Sequence, residues 1–136
     1  MKKSKQKPLP LPAEYRLLAS YKYSPTFKKM VIYIALRTIE EFSNFLYEIV
    51  VEDKIKGNTL CINIHGLRPP RQTLPSFGPA SFEKEFPNME NIEEIIVQKL
   101  DGFENAFQVK LLRDNMIIRK SPKETFVQLV TKEEEW

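Results

Sequence analysis

Apolar side chains recur at every second position in seven or eight short runs between residues 14 and 131. An extended chain turns successive side chains to opposite faces, so this period selects half-buried β-strands over helices. "EYRLLASYKY" (14–23) puts Tyr15, Leu17, Ala19, Tyr21 and Tyr23 on one face and Arg16, Ser20 and Lys22 on the other. The period returns at 45–53, 58–65, 92–100, 105–113, 115–120 and 125–131. "MVIYIA", within 29–38, is β-branched and aromatic on both faces, which also suits a strand. A competing helical reading exists for 29–50, where Ile32, Leu36, Ile39, Phe42, Leu46 and Ile49 fall on one stripe. The next segment favours strands, because two β-runs flank Gly57-Asn58 as in a hairpin. The link "EEFSN" has room for one helical turn.

Asp101-Gly102, Asp114-Asn115 and "SPKE" mark further turns. Short connections predict antiparallel neighbours. The expected fold is all-β, an antiparallel two-sheet β-sandwich of about eight strands, with a closed or half-open β-barrel as the alternative. At 136 residues the chain suits one domain. Residues 1–12, "MKKSKQKPLPLP", are basic and proline-rich and are expected to form a disordered tail. Residues 13–136 form the single β-rich domain.

Net charge is +3 but unevenly spread. Residues 1–30 hold eight Lys or Arg against one Glu, and the remainder is net acidic. Such a tail invites a weak nucleic-acid contact through the basic N-terminal region, with Tyr15, Tyr21, Tyr23 and Tyr33 beside Lys22, Lys28 and Lys29 as a stacking surface. Lysines without aromatic neighbours in the tail itself argue against it. No run of eighteen apolar residues occurs, so no membrane span is expected. The basic start lacks the apolar segment of a secretion signal, and the one cysteine, Cys61, allows no internal disulfide. A cytoplasmic location is the expectation.

Catalytic chemistry is poorly supplied. The single histidine, His65, follows Cys61 by four residues in "CINIHG". On a strand that spacing separates them by about 13 Å, too far for a shared hydrogen bond or a shared metal. Cys61, Asn63 and His65 share one face, and Leu60, Ile62 and Ile64 present the core face. Among the paired carboxylates only Glu83 and Glu85 could converge, if their segment is extended. Phosphate-loop, nucleophile-elbow and zinc signatures are missing. No catalytic residue, no metal and no cofactor is expected, and the chain is not read as an enzyme.

"GLRPPRQTLPSFGPASF" (66–82) interrupts the pattern with four prolines, two arginines and two phenylalanines and no acidic residue. Prolines lower the entropy that ordering a loop against a partner would cost. Arg and aromatic residues are enriched at interface hot spots. The expectation is a non-catalytic binding or assembly module, meeting a protein partner or a second copy through the loop 66–90 with Arg68, Arg71, Phe77 and Phe82. The alternative is a barrel that carries a small apolar ligand beneath that loop as a lid.

Overall fold

A computed structural model of the chain describes residues 13–70 and 75–136. The tail 1–12 and Arg71 lie outside the described residues. Nine strands follow in chain order: β1 (Tyr15–Ser24), β2 (Lys29–Phe42), β3 (Glu48–Lys56), β4 (Thr59–Arg68), β5 (Gly78–Phe86), β6 (Glu94–Gln98), β7 (Glu104–Leu111), β8 (Met116–Lys120) and β9 (Val127–Val130). No α-helix occurs among the described residues, so the helical reading of 29–50 gives way to two strands. A single turn of 3-10 helix, Glu133–Glu135, follows β9.

The all-β expectation holds, but not the two antiparallel sheets. One mixed sheet runs in the order β8-β7-β6-β4-β3-β5-β2-β1-β9 and curls into a half-barrel, close to the half-open alternative. Three pairings are parallel: β1 with β9, β4 with β6, and β3 with β5. For the last two the reason is topological. The β3–β4 hairpin sits between β5 and β6, so the chain crosses over it in both directions, and crossovers produce parallel neighbours. Between β3 and β5 only Glu48 and Ser81 are paired. The two strands then splay, and Lys84 reaches Asp53 across the gap at 3.1 Å.

The concave face holds the core. Leu17, Ile32, Ile34, Leu36, Leu60, Ile62, Ile95, Val97, Phe107 and Phe126 are buried there at 2% exposure or less. Each such side chain contributes roughly 1.5–3 kcal/mol on burial. On β4 the core side is the Leu60–Ile62–Ile64 face, as its alternation predicts.

The strand missed by sequence is β5, which lies inside the proline loop. Pro79 disguises it, since proline cannot donate to a ladder. At this position a bulge dispenses with the ladder bond. Thr38, Ile39 and Glu40 on β2 face only Ala80, and the Ala80 N–H donates to Thr38 Oγ1 at 2.9 Å.

Candidate binding face at the loop end

Strand directions divide the half-barrel into two ends. One end carries tight hairpin turns. At Gly57-Asn58, Gly57 takes φ +61°, as the first central residue of a type II′ turn requires. The other end gathers the longer connections: the start of β1, the β2–β3 and β4–β5 links, and residues 99–103. Ile39, Leu46, Leu67, Phe77, Leu100 and Phe103 project at this loop end, between 39% and 73% exposed.

Local structure explains why these side chains face outward. The β2 bulge re-aims Ile39, as bulges do, and the Ile39 N–H is held by the Glu14 carbonyl at 3.0 Å. A cavity of about 400 Å³ lies between Ile39, Leu67, Tyr15 and Phe42. The Ser76 N–H donates to the Asn44 carbonyl at 3.0 Å, which ties the segment before Phe77 to the β2–β3 link. Next to it, Gly78 adopts φ +153° with Leu46 packed on it. A Cβ there would lie 2.8 Å from Leu46 Cδ2. Phe42, Phe45 and Tyr47 support this corner with edge-to-face contacts at 5.3 and 6.1 Å.

The four candidates do not behave alike. Phe77 is 68% exposed at the tip. Phe82 is on β5, half-buried and packed against the core. Arg68 is exposed and paired with Glu48 at 2.7 Å. Arg71 lies outside the described residues. Loop and core thus divide the two phenylalanines.

A second sector of the same end is stitched by side-chain hydrogen bonds, with Leu100 and Phe103 exposed beside them. Asn105 is buried at the start of β7, on the same face as Phe107 and Val109. Its Oδ1 accepts from the N–H groups of Phe126 and Val127 at 2.9 and 3.3 Å, and its amide donates to the Glu124 carbonyl at 3.0 Å. It therefore clasps β7, one strand from one edge, to β9 at the other edge. Lys99 adds an ion pair to Glu14 at 2.9 Å and sits 4.8 Å from the Phe126 ring centre. The hydrogen bond to Glu14 raises the Lys99 pKa. Burial and then Glu14 raise that of Tyr15. Sequence reasoning passed over Asn105. Its signal was a polar residue in phase with the apolar face of a strand.

The remaining chemistry stays scattered. Cys61 and His65 share one extended strand, and His65, the extra residue of a bulge opposite Val50 and Val51, lies 3.6 Å from Glu52. Glu83 and Glu85 do share a face of β5. Glu85 accepts from Ser24 at 2.7 Å, and Tyr33 is pushed up to about 12 by burial first and then by Glu83. Tyr15 and Tyr21 pack against the core while Tyr33 lies on the opposite face, so the tyrosines form no common stacking surface. Among the described residues no cluster could hold a metal ion. None of their helices is long and apolar enough to cross a membrane. A scan against protein-family models found no match, and searches of curated proteins and of solved structures found no similar chain.

Proposed function

We propose that the protein is a non-catalytic binding or assembly module that meets a protein partner at the open sector of its loop end. The observation that carries this reading is the convergence of Ile39 and Leu67, from the ends of two strands, with Leu46 and Phe77, from two connections, onto one exposed rim. Exposed apolar side chains gathered in one place favour an interface, whereas scattered ones need no explanation. The positions are held by hydrogen bonds, a bulge and Gly78, so little ordering remains to be done on contact. The carrier reading has less support, because the concave face is filled by the core side chains.

The test is a Phe77→Ser, Leu67→Ser double variant. Sedimentation of the wild type from micromolar to millimolar concentration reports self-association. Where the wild type stays monomeric, affinity capture identifies proteins retained by it and released by the variant. Loss of association or capture, with unchanged unfolding, is the expected result. Equal behaviour of the two chains in both assays overturns the proposal.

A further inference from the structure

The convex face of β1 and β2 is covered, which a half-barrel with one core does not require. Arg16, Leu18, Ser20 and Lys22 lie there opposite Arg37, Ala35, Tyr33 and Val31. Leu18, Ala35 and Val31 are buried at 4% exposure or less although they belong to the wrong face for the main core. The segment that follows β9 turns back across them. Glu133 meets Lys22 at 3.4 Å, and the main-chain oxygen of Trp136 accepts from Arg16 Nη1 at 3.2 Å and from Arg37 Nη2. The Trp136 ring lies 4.4 Å from the Arg37 guanidinium carbon. Ala35, Leu46, Pro79 and Phe82 line the adjoining cavity of about 270 Å³.

This face has the composition of a recognition groove. Arg16 and Arg37 are directly opposite each other, an arrangement that is unfavourable unless an acceptor lies between them. Lys22 extends the positive line, with its ammonium 4.0 Å from the Tyr33 ring centre. Under the covering segment the Ser20 hydroxyl is buried without a hydrogen-bond partner. An occupant with main-chain groups in reach would satisfy it, and residues 131–136 do not. Apart from Trp136, their own hold is slight. The 3-10 turn buries no residue and has no side-chain cap, and the Lys22–Glu133 pair is exposed and contributes little.

We propose that this face is a docking groove for an acidic segment with an aromatic residue after its carboxylates, carried by another protein, and that residues 131–136 fill it in cis until displaced. The run Glu133, Glu134, Glu135, Trp136 displays the chemistry of the intended occupant: the Glu133 carboxylate toward Lys22, and a ring and main-chain oxygen toward Arg37 and Arg16. This groove adjoins the rim at Leu46 but is centred on other residues, and its test uses those. A segment tethered in cis competes at an effective concentration on the order of millimolar, so a free segment binds only when that competition is met or removed.

The experiment uses a labelled peptide, Thr-Lys-Glu-Glu-Glu-Trp, and the full chain. The Trp136→Ala variant is expected to bind it at least tenfold more tightly than the wild type. Adding Arg16→Gln and Arg37→Gln should reverse that gain. If Trp136→Ala binds no better, or the arginine changes leave binding intact, the groove is refuted. A second measurement needs no variant. Trp136 is the only tryptophan, so its emission reports the covering segment. Titration with the peptide ending in Phe should move that emission to the value of exposed indole and saturate at one peptide per chain. Emission unchanged at tens of millimolar peptide overturns the proposal. So does a concentration-dependent dimer of the wild type that leaves no response to peptide, because the occupant would then be a second copy.

Discussion

Two sectors of the loop end meet the same problem in opposite ways. Strands stop there, and ladders leave groups without partners. In the seam sector Asn105 and Glu14 supply internal partners for the polar groups of Phe126, Val127 and Lys99, while Leu100 and Phe103 stay exposed beside them. In the open sector the Ile39 and Ser76 N–H groups are satisfied by main-chain carbonyls, but the side chains of Ile39, Leu46, Leu67 and Phe77 leave apolar surface outside. The seam therefore serves stability, and on the reading proposed above the rim serves contact. Buried polar groups cost dearly when unpaired, which is why the seam pairs them. Exposed apolar groups cost the monomer little, so a rim can persist if association rewards it.

The largest expected effect lies in the seam. Asn105→Ala leaves buried N–H groups at Phe126 and Val127 without an acceptor and should lower unfolding free energy by about 3 kcal/mol or more, given ~1–3 kcal/mol per orphaned group. Urea denaturation measures it, and a loss below ~1 kcal/mol would break the contrast between the sectors. Next come the two phenylalanines. Phe82→Ser should cost about 2 kcal/mol, less than the ~3–5 kcal/mol of a fully buried ring, since Phe82 is half-buried. Phe77→Ser should stay within about 0.5 kcal/mol. Equal costs at the two positions would merge loop and core into one unit.

The smallest effect concerns pH. Lys99 has its pKa raised by its hydrogen bond to Glu14, so the folded state holds this proton more tightly than the unfolded chain. Its contribution is fully present below the ordinary lysine value of 10.5 and is lost as pH rises through the folded value. The pair is partly exposed, which limits it to under about 1 kcal/mol. Between pH 10 and the upper limit of folding, the wild type should lose slightly more stability than Glu14→Gln. Parallel curves would show that Lys99 contributes nothing to the seam.

The alternation of apolar residues fixed β1, β3, β4, β6, β7, β8 and β9 in outline, because a strand's two faces are a local property of spacing. The same reading identified the core face of β4 and the separation of Cys61 from His65. Its failures share one cause. β5 was hidden by Pro79, whose missing donor matters only if the ladder needs it, and the β2 bulge decides that it does not. The sandwich gave way to one curled mixed sheet because β4 meets β6 and β1 meets β9 across long stretches of chain. No local pattern encodes which edges will meet.

The site was legible to the same extent. Phe77 and Arg68 stood out by residue type within an unusual loop, and both are exposed. Phe82 belongs to a strand, and Ile39, Leu46 and Leu67 read only as members of apolar runs until a bulge and strand ends turned them outward. The doubly apolar run 31–36 read only as strand, and neither it nor Leu18 was read as a second covered face that Trp136 crosses. By itself the sequence determined an all-β chain, the inward side of most strands and the poverty of catalytic groups, since spacing and composition act within a few residues. Only the tertiary structure decided the half-barrel, the Asn105 clasp, the rim and the arginine-held segment. Each joins residues far apart in the chain, and their meeting depends on the curl of the whole sheet.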